Sequence, residues 1–461
     1  MNINGHAIIL AAGEGTRMKS KKPKVLCEVL FKPMVQWVID SCREAGVDQL
    51  CAVVGHGAPM VQAAIGDSVA YAYQLERLGT GHAVMQAKEF LQNAKTEHTL
   101  ILCGDAPFVD SDTIARSYES HLQNGESATV ITAELPDATG YGRIKKENGA
   151  FVAIVEHKDA TEEERKIREV NSGAYWFNTK DLLYALDNLQ NNNSQNEYYL
   201  TDTISILKNA GKKVGTFVAD GSDVVLGAND RKTLFELNRI ANKRVIDRLM
   251  SEGVEFVSLD GIVLSPDCTV GTDTVILPGT IFKGRVTVGS GCVVGPNSML
   301  QNCTVGDNTL LDNAKITDAT IGSGAQLGPF MQVRPGSVIG DDTRVGNFTE
   351  IKNSNIGNGT KVSHLTYVGD SDVGERVNFG CGTVTVNYDG VNKFRTTIGN
   401  DCFIGCNTNL VAPVTLGDGA YTAAGTTVTK DVPSGALSIG RSRQTEILGW
   451  ADKKMAPKRK K

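Results

Sequence analysis

Two stretches of the sequence carry side chains whose types and spacing suit chemistry on charged substrates. The first is AIILAAGEGTRM, Ala7 to Met18, with Pro23-Lys24 close behind. An apolar run stops at two glycines, and main-chain N–H groups freed around Gly13 and Gly15 can cradle phosphate oxygens. Arg17 adds a planar, fork-shaped cation and Lys24 a compact one, both suited to a triphosphate. The loop has neither the Gly-Lys-Ser/Thr of a Walker loop nor the third glycine of a dinucleotide fingerprint. CGDAP puts Asp105 directly after another apolar run, where an aspartate taken alone could equally be a helix N-cap. The second stretch runs through VRPGS, EIKN, SHLTYVGD and VNFGCGTVTVNYDGVNK. His364, within it, is the only histidine after His157. A lone histidine is more often structural than catalytic, but its neighbours change the weighting. Lys352 precedes it by two six-residue steps and Arg334 precedes Lys352 by three more, so the two cations should stack one coil apart on one face. Stacked cations need an anionic partner, and a sugar phosphate supplies one.

The elements that must position these groups differ between the halves. Up to about residue 230, short apolar runs (HAIILAAG, QLCAVVGH, HTLILCGD, ATVITAEL) alternate with helical patterns such as PMVQWVIDSCREAG, which ends at Gly46. That alternation predicts a mostly parallel sheet with helices on both faces, its ligands beyond the carboxyl ends of the strands. GEGTR and GDAP both fall there. Residues 233–253 read as a linker helix, with Leu234, Leu237, Ala241, Val245 and Leu249 on one stripe. From there to the C-terminus, 28 of the 49 glycines lie between Gly261 and Gly440, and aliphatic–Gly pairs recur from Val270-Gly271 to Leu416-Gly417, mostly at multiples of six. This is a hexapeptide β-helix array, three hexapeptides to a coil and about eight coils between Val270 and Leu416. The Phe379 to Ile398 step is 19 residues rather than 18, and the insert VNYDGVNKFRT must loop out.

At 461 residues, 41% hydrophobic and 21% charged, the chain is an ordinary globular protein of two or three domains. Its net charge of −5 gives no reason to expect nucleic acid, and the basic end KKMAPKRKK reads as a solvated tail. No run approaches the roughly 20 apolar residues of a membrane span. The first apolar run has neither the cationic flank nor the length of a signal peptide. Ten scattered cysteines without a Cys-x-x-Cys pair indicate neither zinc nor a disulfide framework; a reduced, cytoplasmic protein is expected.

LAAGEGTRM…PKVL resembles the signature of sugar-nucleotide pyrophosphorylases. Joined to a hexapeptide array, the chain from about residue 5 to Trp450 is similar to the bacterial family of bifunctional N-acetylglucosamine-1-phosphate uridylyltransferases and glucosamine-1-phosphate N-acetyltransferases. The resemblance implies an α/β Rossmann-like nucleotidyltransferase domain over 1–232, the linker helix, and a left-handed parallel β-helix acetyltransferase domain over 254–461. It puts uridine and phosphate contacts on Leu10, Ala11, Ala12, Gly13 and Lys24, and base recognition on Gln74, Gly79 and Thr80 of YQLERLGTGHA. Gly142, Glu156 and Asn171 become sugar contacts, and Asp105 and Asn229 ligands of Mg²⁺. Arg17 and Lys24 would offset phosphate charge. In the second half it makes His364 the general base on the amine of glucosamine-1-phosphate and Glu350 its orienting partner. Arg334 and Lys352 become phosphate contacts, Tyr367 and Asn378 sugar contacts, and Asn387-Tyr388 sugar or acetyl contacts. Cys381, Cys406, Ala424 and Arg441 match acetyl-CoA contacts, the acetyl donor. The implied small molecules are UTP, glucosamine-1-phosphate, N-acetylglucosamine-1-phosphate and acetyl-CoA, and the implied assembly a homotrimer with acetyl-CoA between neighbouring β-helices.

Three rival readings fail on the residues present. A zinc carbonic anhydrase on the same β-helix needs three histidines at each subunit interface, and one histidine supplies one. A regulatory subunit has no need to keep Arg17, Lys24, Asp105, Asn229 and His364 together. A one-activity pyrophosphorylase with a scaffold β-helix has no need of HLTY…NYDG.

Overall fold

The computed structural model describes residues 3–193 and 195–455, so the last six residues of the basic tail lie outside the described residues. The chain forms two compact units that meet between Ala241 and Asn242.

The first unit is built on one sheet. Strands β1 (Gly5–Ala11), β2 (Leu50–Val54), β3 (Ala70–Tyr73) and β4 (His98–Cys103) are followed by β5 (Ala128–Glu134), the hairpin β6 (Arg143–Glu147) and β7 (Ala150–Val155), β8 (Glu169–Asn178) and β9 (Val214–Val218). The main order is β9-β5-β8-β4-β1-β2-β3. Every pairing along it is parallel except those of β8, which runs antiparallel to both β4 and β5. The four apolar runs singled out in the sequence are β1, β2, β4 and β5.

Alternation along β1 explains the two layers of helices. Ala7, Ile9 and Ala11 join a core with Val35, Val38 and Ile39 of α1 (Met34–Glu44). Ile8 joins a second core on the other face with Ala83 and Val84 of α2 (Thr80–Gln86). A period of two with both faces apolar is what a sheet covered on both sides demands. Helix α1 ends in front of Gly46, whose φ of 89° is the left-handed conformation that closes a helix. Asp105 does not cap a helix: the helix α3 (Ser111–Gln123) takes its cap from Asp110, which accepts from the Thr113 N–H at 2.9 Å. That leaves the Asp105 carboxylate for other work. The helix α4 (Arg231–Ser251) covers the expected linker stripe, with Leu237, Ala241, Val245 and Leu249 buried and Leu234 half-buried.

The second unit is a parallel β-helix, as the aliphatic–Gly repeat requires. All fourteen aliphatic residues of that repeat, from Val270 to Leu416, are buried. One face is an eleven-stranded parallel sheet running from Glu255–Phe256 to Leu437–Ser438; the remaining strands form a seventeen-stranded sheet. The stack therefore begins and ends beyond the eight coils counted from Val270 to Leu416, because its first and last coils lack the aliphatic–Gly signature. Regular coils advance by 18 residues, as Ile321 does on Ile339, and several by 17, as Val345 does on Val362. The long coil differs from its sequence reading. Phe379 stacks on Ile404, not on Ile398, and Val373 stacks on Ile398. Each step is 25 residues, seven more than a regular coil. The surplus forms the loop from Asn387 to Arg395, closed by a bridge between Tyr388 and Lys393.

Candidate active sites

In the first unit, β1 and β4 are neighbours, and the Gly104 N–H donates to the Leu10 carbonyl at 2.9 Å. The loops after both strands therefore open at the same edge, around a cavity of about 470 Å³. Gly15 has φ 68°, and a Cβ there would stand 2.5 Å from Lys24 Cβ. Only glycine lets the loop turn while Lys24 packs against it. Gly13 has open space before it, so its backbone faces the cavity directly. The Lys24 ammonium ion-pairs with Asp105 and donates to Asn229 Oδ1 at 2.9 Å. Arg17 Nη2 reaches the same Asn229 oxygen at 3.2 Å. The Ala228 N–H donates to the Asp105 carbonyl at 3.2 Å, which fixes the two oxygen-bearing side chains relative to each other. Asp105 and Asn229 thus point oxygen at one cation, 124 residues apart in sequence.

Leu10, Ala12, Gly13, Gln74, Gly79 and Thr80 line this cavity; Ala11 does not, being wholly buried in the ladder opposite Val54. Cys103 also lines it, its thiol pushed up to about 12 by burial and by Asp105. At the rim the Arg77 guanidinium ion-pairs with Glu14 of the glycine loop. A second cavity of about 730 Å³ shares Thr80 and Tyr199 with the first and is lined by Glu156 and Asn171. Gly142 supports its wall: its carbonyl accepts from the Asn171 N–H at 2.9 Å, and a Cβ on it would stand 3.0 Å from Ile154 Cγ2, with the Glu156 carboxylate in ordinary contact at 3.4 Å. Asn171 Nδ2 donates to the Tyr175 hydroxyl at 2.7 Å. Burial, with Asp159 and Asp202 nearby, raises the Glu156 carboxyl above its ordinary range. Tyr175, Tyr199 and His157 line this cavity and were missed in the sequence; Tyr175 lies in an apolar run and the other two in polar stretches, and neither setting signals a side chain that faces a ligand.

In the second unit, Arg334 and Lys352 do stack one coil apart: the Arg334 N–H donates to the Ile351 carbonyl at 2.8 Å. Tyr367 lies on the next coil, in register with Glu350. Lys352 Nζ donates to Asp370 Oδ2 at 3.2 Å, while Asn353 Nδ2 donates to Asp370 Oδ1 at 2.6 Å and Asn387 donates to the same carboxylate. Asp370 is buried, and these donors hold its carboxyl below the ordinary range despite that burial. Lys393, carried by the long loop, lies beside Lys352, and that neighbouring ammonium pushes its own below the usual lysine range. Asp370 and Lys393 lie inside the quoted stretches but escaped sequence reasoning: Asp370 reads like any turn aspartate, and Lys393 is placed by the extra seven residues. Glu350 Oε1 accepts from Arg334 Nη1 at 2.8 Å. Its second oxygen, Oε2, has no partner among the described residues and stays available to another donor.

His364 is exposed at the end of a strand on the other sheet, opposite Asn347. It stands at a corner of the coil, three residues before Tyr367. The corner repeats: the Gly382 N–H donates to the Leu365 carbonyl, Asn407 to Cys381, and Gly425 to Cys406. His364, Cys381, Cys406 and Ala424 form one column on successive coils, and Arg441 Cδ lies 3.9 Å from the space a Cβ on Gly425 would fill. Asn378 sits on the His364 sheet, in register with Lys361, and Tyr388 sits on the loop, its hydroxyl donating to the Gly390 carbonyl at 2.6 Å.

The chain matches the family of nucleotidyl transferases over residues 6–230 and the bacterial transferase hexapeptide repeat over 267–302, 318–353 and 395–430. It is 49% identical over 452 residues to the bifunctional protein GlmU of Halalkalibacterium halodurans, covering 98% of this chain and 99% of that protein. The bifunctional protein GlmU of Acetivibrio thermocellus is 49% identical over 449 residues, 97% of each chain. The chain belongs to the GlmU family. Membership spans both units, so the α/β transferase half and the hexapeptide half are inherited together, as the motifs in both halves of the sequence implied. Among the described residues no helix is long and apolar enough to cross a membrane.

Proposed function

We propose that the chain acetylates glucosamine-1-phosphate with acetyl-CoA in the β-helix and then joins the N-acetylglucosamine-1-phosphate formed to UMP from UTP in the first unit, releasing pyrophosphate. The observation that carries the reading is the convergence of Asp105, Asn229, Lys24 and Arg17 at the edge where β1 and β4 end. Two hard oxygens already meeting a cation suit Mg²⁺, which takes one or two protein oxygens and keeps its other positions for water and phosphate. Bound there, it would screen the phosphate charge while the sugar-phosphate oxygen attacks the α-phosphorus. Arg17 and Lys24 neutralise the reacting and leaving phosphates, and Gly13 offers its backbone to them. Gln74, Gly79 and Thr80 hold the base. Glu156, Asn171 and Gly142 hold the acetamido sugar in the adjoining cavity.

In the β-helix, Arg334 and Lys352 bind the phosphate of glucosamine-1-phosphate, with Lys393 arriving on the loop. Tyr367 and Asn378 contact the sugar. His364 takes the amine proton as nitrogen attacks the thioester, a task for which an imidazole is matched to neutral pH. The column of Cys381, Cys406 and Ala424, with Arg441, receives the acetyl-CoA, and Asn387-Tyr388 the acetyl group. A homotrimer in the cytoplasm, with acetyl-CoA bound between neighbouring β-helices, completes the proposal.

The test is thiol release from acetyl-CoA with glucosamine-1-phosphate, in wild type and His364→Ala. Release that collapses in the variant supports both the activity and its base. No release from folded wild type would leave a one-activity pyrophosphorylase or a regulatory subunit on a scaffold β-helix.

A further inference from the structure

We infer that His82 is a positioning residue that sets which nucleobase the first cavity accepts, by fixing the side-chain amide of Gln74; the inference rests on the uridylyl-transfer reading above. Gln74 directly follows β3 and is buried. Its Nε2 donates to the Gly79 carbonyl at 3.0 Å and lies 3.2 Å from His82 Nδ1. A carbonyl only accepts, so the amino end of the amide, not the oxygen, must face Gly79. An amide NH₂ has two hydrogens. Gly79 takes one, and the His82 Nδ1 lone pair takes the other.

The buried amide decides the tautomer of His82. Gln74 is buried and pinned by main chain. Gln86 Nε2 lies 3.1 Å from His82 Nε2 and donates to the His82 carbonyl at 3.1 Å, but Gln86 is half-exposed, so water can replace that bond when its oxygen turns to accept from an Nε2–H. The ring itself is held by stacking on Tyr198, centroids 6.2 Å apart and planes 29° apart. With both amide hydrogens engaged, turning the amide over would break two hydrogen bonds; without His82 it would break one. Among the described residues Gln74 Oε1 has no partner in the chain, and Gln74 lines the cavity. The edge shown to a ligand is therefore an acceptor. An acceptor pairs with a ring N–H, which uracil carries at N3, and repels the N3 lone pair of cytosine. Sites that hydrogen-bond a substrate N–H reject analogues lacking it by large factors.

The experiment measures kcat/KM for UTP and for CTP by pyrophosphate release, with N-acetylglucosamine-1-phosphate as co-substrate. His82→Phe keeps a ring against Tyr198 but removes the acceptor; His82→Asn can return an acceptor oxygen near the Nδ1 position. The UTP:CTP ratio should fall at least about tenfold in His82→Phe, the equivalent of one lost hydrogen bond, and recover in His82→Asn. A ratio within threefold of wild type in His82→Phe, or an equal loss for both nucleotides, overturns the inference. The near-UV circular dichroism spectrum reports packing of the first unit; if it is lost, His82→Leu reads the same ratio against the same limits. Wild type that uses neither nucleotide would refute the uridylyl-transfer reading itself, a separate result from a ratio that ignores His82.

Discussion

Gly15→Ala tests whether Lys24 is placed by the glycine loop. The added Cβ would meet Lys24 Cβ at 2.5 Å, about 0.9 Å inside the 3.4 Å at which ordinary contact begins. Lys24 Cβ lies next to the main chain and cannot swing aside as a flexible tip would. Either the loop or the short turn at Lys24–Leu26 must move by most of that distance. The left-handed φ of 68° adds about 1–2 kcal/mol for a residue with a Cβ, too little to unfold a unit with two apolar cores. The displacement acts on the ammonium between Asp105 and Asn229, and a misplacement of about 1 Å in a reacting array costs about 100-fold in rate. Pyrophosphate release from UTP should therefore fall about 100-fold in kcat/KM. Acetylation measured on the same sample should hold at the wild-type rate, and an unchanged near-UV circular dichroism spectrum should certify the fold of the first unit. Uridylyl transfer within threefold of wild type would refute the argument that this contact positions Lys24.

Asp105→Ala should remove uridylyl transfer and leave acetylation near normal; loss of both in a folded protein would contradict two independent sites. Chelation of divalent metal should stop pyrophosphate release only, and metal-dependent acetylation would count against the assignment. Asp370→Asn should raise the KM for glucosamine-1-phosphate about tenfold or more, because an amide cannot satisfy Lys352, Asn353 and Asn387 at once; an unchanged KM would show that the carboxylate does not hold the cations. His6 and His121 have their imidazoles lowered to about 4 by burial, with His98 adding to it. The unfolded chain binds those protons first, so the first unit should lose stability as pH falls from about 6.5 towards 4. Denaturant midpoints that stay level across that window would exclude the effect.

The strands that carry the first site were legible because both faces of the sheet are apolar, and because glycines and an aspartate stand where those strands must end. Strand-end position then brings Asp105 to Lys24 without any pattern linking them in sequence. The inward residues of the β-helix were legible for the same reason, a fixed period with one buried partner. What the period could not supply was which coil lies above which once a coil is lengthened. Phe379 was paired by counting with Ile398, yet the stack resumes only after seven extra residues, on Ile404. The Arg334–Glu350 ion pair was equally hidden, because a repeat count places residues on coils without saying which side chains meet across them. Asp370 lay unseen because a buried carboxylate reads like any turn aspartate until its three donors are in place.

The long coil closes onto its neighbours through the same main-chain hydrogen bonds that join regular coils, Gly374 N–H to the Ile398 carbonyl at 2.8 Å and Gly380 N–H to the Ile404 carbonyl at 2.7 Å. Nothing in the scaffold registers how many residues lie between Asn387 and Arg395. Loop length is thus a free variable of this architecture. A descendant chain can lengthen, shorten or recompose the segment that bears Tyr388 and Lys393, and so acquire a different acceptor, while every coil beneath it keeps its address.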